Sequence, residues 1–464
     1  MDDPDGSEQH TVNCSVADLQ LEVKASPGRS LRSSDTGRAA GLGLAAMAMN
    51  AISLVFTVVF ARVLGEDGYG SLITLLSAFL ILAIPGQALQ VAVAREVSRE
   101  AGTADSALTA NVRSWAGSLA ALALLLAAVG ALARRPLADL LGVEVEWAAA
   151  ATLPMACGWI LLCLERGVLQ GIGSYFAVGA SLVGEALARL AFALAFVGAG
   201  LGATGAFLGT GAAVLAVAAV LALLIRQRLA RAGHEVGVRR PLGGLVRESL
   251  VAVVALGLFA LLQNVDVIVV RNLADERTAS DYAAVSVAAK ALIWVAIGLG
   301  LFLLPEAARR AKQGLDGRPV LMRTIALVGA AGAAATLIFA FFGQLVLRLA
   351  FGEDLAQGAP ALPWLTVAMT ALAVVYLCVQ FLLALERRAF LAVLAIAGLV
   401  EPVALAVVGA DLTDVALTVL GVDFVLVAGV GVAALRAGSA RPSPQGPGRG
   451  LIDPDPVTTA HEPR

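Results

Sequence analysis

The sequence predicts an all-α membrane protein of about twelve transmembrane helices, in two six-helix bundles related by a pseudo-twofold axis along the membrane normal. Three observations lead there. Apolar runs of about 20 residues recur along the whole chain, each long enough to cross roughly 30 Å of hydrocarbon as a helix. The chain is 59% hydrophobic, with a mean hydropathy of +0.85. Finally, Arg62-Val63-Leu64-Gly65-Glu66-Asp67-Gly68-Tyr69 follows the first run and is echoed after the seventh by Arg271-Asn272-Leu273-Ala274-Asp275-Glu276, with Tyr282 further on. A duplicated six-helix unit gives such an echo. Units of equal orientation place their symmetry axis along the normal. A transmembrane β-barrel would instead show short alternating segments.

The apolar runs define spans 1 to 12: 39–61, 71–94, 114–133, 148–164, 175–199, 203–225, 248–270, 282–305, 324–347, 360–385, 389–409 and 415–435. Residues 1–38 form a polar tail without the apolar stretch of a signal peptide. Residues 39–226 make the first bundle, 227–247 a basic linker and 248–436 the second bundle. Residues 437–464, rich in Pro and Gly, make a second disordered tail. Lys and Arg set orientation. The loops after spans 1, 3, 7 and 9 carry only Arg62, Arg134, Arg135, Arg271, Arg277 and Arg348. The alternate loops and both tails carry most of the rest, with the linker richest (Arg226, Arg228, Arg231, Arg239, Arg240, Arg247). Both termini are therefore expected in the cytoplasm, in a cytoplasmic membrane, with the linker against anionic lipid.

Along the spans, Pro85, Pro154, Pro363 and Pro402 are expected to kink or break their helices. Trp115, Trp147 and Trp364 sit near span ends, where aromatic anchors collect. Span 5 carries Glu185 and Arg189, four apart and able to pair on one face. Gly200-Leu201-Gly202-Ala203-Thr204-Gly205 matches a dinucleotide fingerprint by letters, but no strand precedes it. A tight turn between spans 5 and 6 explains those glycines. Span 7 carries Gln263, Asn264 and Asp266, the last near enough to the span's end for solvation to account for it. In span 8, Lys290 has no acid three or four residues away, so its partner must come from another helix or a ligand. Span 11 carries Glu401-Pro402, and span 12 carries Asp423. A charge at mid-membrane costs roughly 2.5–3.5 kcal/mol on insertion scales, which marks these residues as candidates for function.

Several classes of activity lack their chemistry. The cysteines (Cys14, Cys157, Cys163, Cys378) show no close Cys-x-x-Cys pair and read as small apolar packers. The histidines (His10, His234, His461) all fall in tails or the linker, so no metal site is expected. No P-loop, His-Glu-x-x-His or Ser-His-Asp set appears, and no catalytic residue is assigned. Nothing points to nucleic acid. A membrane glycosyltransferase or polymerase would need a sizeable loop to hold its acceptor, and the loops here are short.

At this point the pattern resembles a family. Val59-Phe60-Ala61-Arg62-Val63-Leu64-Gly65-Glu66-Asp67-Gly68-Tyr69-Gly70 is similar to the first-loop motif of polysaccharide-exporter, lipid-linked oligosaccharide flippases of the MOP (multidrug/oligosaccharidyl-lipid/polysaccharide) superfamily. Val93-Ala94-Arg95-Glu96 resembles their exit from span 2, and Leu169-Gln170-Gly171-Ile172-Gly173 their turn after span 4. Asn264-Val265-Asp266 with Arg271, Tyr282 and Lys290 resembles the opening of their second half, and Leu304-Pro305-Glu306 the end of span 8. Pro85-Gly86-Gln87 departs from the family's span 2. The resemblance covers roughly 39–436. It implies a flippase that moves undecaprenyl-diphosphate oligosaccharides by alternating access, with no cofactor beyond a coupling ion, H+ or Na+. Arg189, Lys290, Glu185, Gln263 and Asn264 would bind substrate, and Asp266, Glu401 and Asp423 would couple the ion. A polysaccharide polymerase or glycosyltransferases would be partners. The alternatives are a cation-coupled exporter of small amphiphiles on the same fold and, ranked below it because the loops are short, a membrane glycosyltransferase or polymerase.

Overall fold

A computed structural model describes residues 35–100, 105–229, 241–313 and 315–438. Most of both tails and of the linker, Cys14 and all three histidines lie outside the described residues, while residues 35–38 and 437–438 extend α1 and α14. The elements are α1 (Asp35–Ala83), α2 (Gly86–Glu100), α3 (Asp105–Leu132), α4 (Arg134–Leu141), α5 (Glu146–Gly171), α6 (Tyr175–Phe196), α7 (Gly202–Leu229), α8 (Leu242–Glu248), α9 (Leu250–Leu273), α10 (Glu276–Lys312), α11 (Arg318–Phe351), α12 (Leu362–Ala384), α13 (Phe390–Val408) and α14 (Leu412–Gly438). Helices satisfy their own backbone groups, as hydrocarbon demands.

Among the described residues, 11 helical stretches are long and apolar enough to cross a membrane. One of them, Tyr175–Arg228, is 54 residues long. It reverses at Gly200 (φ 88°) and Gly202 (φ 52°), left-handed positions that glycine takes without strain. It therefore crosses twice, and twelve crossings result. Gly65 divides α1 in the same way, so its two parts carry span 1 and the start of span 2. Span 2 continues into α2 after a break at Ile84-Pro85, where the proline ring cannot join the helical ladder. With an even number of crossings, Asp35 and Gly438 lie on one face, called here the terminal face. The short helix α4 lies on the opposite, distal face.

The two halves repeat each other's packing. In the first, α2 packs on α5, α3 on α5, α1 on α6, α5 on α7 and α6 on α7. In the second, α10 packs on α12, α11 on α12, α9 on α13, α12 on α14 and α13 on α14. Numbering the spans turns the first set into the second by adding six to each partner. This recurrence is the duplication that the Arg62 and Arg271 loops foreshadow. Close approach rests on small residues, since lipid offers apolar side chains no reason to cluster. A Cβ on Gly209 of α7 would lie 2.4 Å from the backbone nitrogen of Ala193 in α6. Where the halves meet, α1 packs against α9 and α10, and Ala61, Tyr69 and Ile73 join the core of the second half.

Three expectations need correction. Span 4 does not stop at residue 164. The helix α5 runs on to Gly171 because Leu164, Val168 and Leu169 keep its face buried, and Arg166 goes inside with them. Trp115 is not an interfacial anchor but a fully buried member of the first half's core, whereas Trp147 and Trp364 are exposed. Pro363 falls in the first turn of α12, where its missing N–H costs nothing, so it does not kink the helix.

Candidate functional site

The second half holds a buried polar cluster built by four helices. Tyr282, Ser286 and Lys290 of α10 are spaced by four and share one helix face. That face meets Asp266 of α9. The Tyr282 hydroxyl donates to Asp266 Oδ2 at 2.9 Å and the Ser286 hydroxyl to the same oxygen at 3.3 Å. Lys290 Nζ donates to Asp266 Oδ1 at 3.1 Å, forming an ion pair. Asp266 is fully buried, so solvation does not account for it and its three donors do. Lys290 finds its partner on another helix, as its spacing requires.

From the other side come Glu401 of α13 and Asp423 of α14, both buried. Glu401 lies within electrostatic reach of Asp423, Asp266 and Lys290. Neither Glu401 oxygen has a hydrogen-bond partner, nor has Asp423 Oδ2. Asp266 and Glu401 thus lie within reach of the Lys290 ammonium, and Asp423 lies within reach of Asp266 and Glu401. No three described His, Cys, Asp or Glu side chains come close enough to share a metal ion. Gln263 and Asn264 are buried on α9 beside the cluster. Asn264 Nδ2 turns back to the Ala260 carbonyl at 2.9 Å, while Gln263 Oε1 has no partner.

A second set of buried charges sits in the first half. Glu185 and Arg189 do not pair, although their spacing allows it. Arg189 reaches α1 instead, donating to the Ser53 hydroxyl and lying 5.1 Å from the ring centre of Phe56. Glu185 is buried, faces Arg166 of α5 electrostatically and leaves Oε1 without a donor. Arg166 donates to the Ser181 hydroxyl and carbonyl, each at 3.0 Å, and lies 5.6 Å from the ring centre of Trp159. Sequence reasoning placed Arg166 in a loop and missed it. The signal was present, because Cys163, Leu164, Val168 and Leu169 continue the apolar run around it. Arg189 and Lys290 therefore lie in different halves, and Lys290 is held by an acid.

Outside the spans, Glu306 at the terminal-face end of α10 accepts from Arg309 and Arg310 at 2.7–2.9 Å. These two guanidinium groups hold its carboxyl down to about 2.

No protein-family model and no curated protein sequence matches this chain. Solved structures do match its fold. An inward-facing multidrug resistance MATE-family transporter of the MOP superfamily superposes with a TM-score of 0.68 at 14% identity, covering 85% of this chain and 98% of that one. The lipid II flippase MurJ, in an inward closed conformation, gives 0.66 at 12% identity over 86% and 88%. An outward-facing MATE-family transporter gives 0.57 at 14% over 88% and 97%. At these identities the likeness establishes architecture. The chain has the fold of MOP-superfamily transporters.

Proposed function

We propose that this chain is an alternating-access transporter, not an enzyme, that carries undecaprenyl-diphosphate-linked oligosaccharides from the inner to the outer leaflet of the cytoplasmic membrane. The observation that carries the transport reading is the cluster of Asp266, Glu401, Asp423 and Lys290. A buried carboxylate without a cation costs several kcal/mol. Glu401 and Asp423 would be relieved by taking up H+ or Na+. A cation arriving there competes with Lys290 for the same negative charge. It would loosen the ammonium from Asp266 and free it for a substrate diphosphate. Arg189 would supply a second anion contact from the first half. Gln263, Asn264 and Glu185 would contact the sugar.

The substrate class is supported by the series of short motifs from Val59 to Glu306 and by the likeness to a lipid II flippase. A sugar diphosphate cannot enter hydrocarbon unaided, and a path between two bundles would shield it. In this topology both chain ends are cytoplasmic, the arginine-rich terminal face touches anionic lipid, and a polymerase or glycosyltransferases receive or supply the glycan. The likeness to multidrug transporters favours a second reading, cation-coupled export of small amphiphiles.

Purified protein in vesicles, given a fluorescent undecaprenyl-diphosphate oligosaccharide, separates the two. Protein-dependent movement of the lipid between leaflets is expected. Transport of a lipophilic amine without any movement of the lipid would replace the first reading by the second.

A further inference from the structure

The two echoed loops meet across the distal face in a reciprocal way. Arg62 ends span 1, and its guanidinium donates to the carbonyls of Leu349 and Ala350 in the last turn of α11. That turn is the corner that follows span 9, in the other half. Arg271 ends span 7. Its Nε donates to the Gly142 carbonyl at 3.0 Å, just past the end of α4. The neighbouring Asn272 donates to the Leu140 carbonyl, also at 3.0 Å. Gly142 and Leu140 form the corner that follows span 3, in the first half. Adding six to the span numbers converts the Arg62 contact into the Arg271 contact. Each loop therefore reaches across to the equivalent corner of the opposite half.

The chemistry at both ends is the same. The last carbonyls of a helix have no intrahelical partner, and the helix dipole leaves that end negative. A cation is the natural cap. Both receiving corners turn on a glycine with positive φ, Gly142 (64°) and Gly352 (106°). Gly142 also needs its missing side chain, since a Cβ there would lie 3.2 Å from the Arg271 carbonyl. Between the two arms the backbones nearly touch. The Ser280 hydroxyl donates to the Glu66 carbonyl and accepts from the Gly70 N–H at 3.0 Å. A Cβ on Gly70 would lie 2.6 Å from Ser280 Oγ. Arg277 pairs with Glu66 at 3.2 Å, and Arg271 also holds Ser71 at 3.0 Å.

We propose that Arg62 and Arg271 are the two arms of one reciprocal latch that keeps the distal face shut, and that both arms let go together when that face opens. The proposal rests on the alternating-access reading. A rocking of the two halves that preserves the pseudo-twofold axis parts symmetry-related contacts equally, so neither arm can open alone. The arms themselves grip backbone carbonyls, which carry no net charge, and the Arg277–Glu66 ion pair beside them spans the same seam.

The test is a distance measurement on full-length protein carrying Cys14→Ser, with spin labels at Glu144→Cys and Asp354→Cys, two exposed distal-face positions, one in each half. The remaining cysteines are buried. Arg62→Ala and Arg271→Ala are each expected to raise the longer-distance population about tenfold. The double variant should multiply the two effects. Arg348→Ala is the control, because Arg348 pairs with Glu353 inside one half, and it should leave the distances unchanged. If alanine variants fail to yield folded protein, Arg62→Lys and Arg271→Lys keep the charge but lose the fork, and should shift the populations in the same direction by less. No shift in either arm, a shift in only one arm, or an equal shift in the control overturns the latch. No substrate is needed for this readout. A failed latch thus leaves the transport reading standing, and a working latch in a protein that moves no lipid removes only the substrate.

Discussion

Replacing Lys290 with methionine removes the ammonium that pairs with Asp266 and lies within reach of Glu401. The ion pair it breaks is 3.1 Å long, with side chains 10% and 0% exposed. Breaking so buried a pair from one side costs about 3–5 kcal/mol. Asp266 keeps the Tyr282 and Ser286 hydroxyls, which places the loss near the lower end, about 3 kcal/mol. Asp266→Asn should also destabilise, because it removes the carboxylate to which Lys290 donates. The combined Lys290→Met/Asp266→Asn variant leaves a neutral amide that still accepts from both hydroxyls. Its stability should return to within about 1 kcal/mol of the parent, since neutral replacement of a buried pair is often without cost. The assay is reversible unfolding of purified protein in mixed micelles, run as a double-mutant cycle. Effects that simply add would refute a direct Lys290–Asp266 pair, and with it the competition between Lys290 and an incoming cation.

Two further outcomes test the packing and the surface charges. Gly209→Ala should destabilise by about 1–3 kcal/mol, because its Cβ meets backbone rather than a movable side chain. Gly184→Ala, in open space on the adjacent helix, should be neutral or slightly stabilising in the same melt. The Glu306 carboxyl, held by Arg309 and Arg310, titrates near 2 in the folded chain against an ordinary value of 4.5. A depressed carboxyl contributes fully above the ordinary value and loses its contribution as pH falls towards the folded one. Thermal melts across that acid window should show a shallower slope for Glu306→Gln, with no change in slope near neutral pH.

The fold was written plainly in the sequence, because a membrane helix must be apolar along its whole length and cannot hide. All twelve spans appear where apolar runs lie. The glycine turn at Gly200 and the break at Pro85 appear where local chemistry requires them. What the sequence could not display was which charge meets which. Glu185 and Arg189 share a helix face, yet Arg189 bonds to Ser53 of α1 and Glu185 lies within electrostatic reach of Arg166 of α5 instead. Helix spacing says which residues can meet, and tertiary packing decides which do. Arg166 escaped notice because a charge tends to mark the end of an apolar run, although here the run continues past it. Tyr282, Ser286 and Lys290 are spaced by four and so share a face, a pattern that shows only once a partner for that face is known. Its target, Asp266, lies on the preceding helix at a depth that span boundaries alone leave uncertain.

The most direct test of coupled transport uses sealed vesicles with an imposed H+ or Na+ gradient and a labelled lipid-linked oligosaccharide. The parent protein should move the lipid faster with the gradient than without it, for one of the two ions. Glu401→Gln and Asp423→Asn should abolish that acceleration while the protein stays folded. Movement of the lipid at the same rate with and without either gradient, or full acceleration in both variants, would contradict a coupling role for the buried acids.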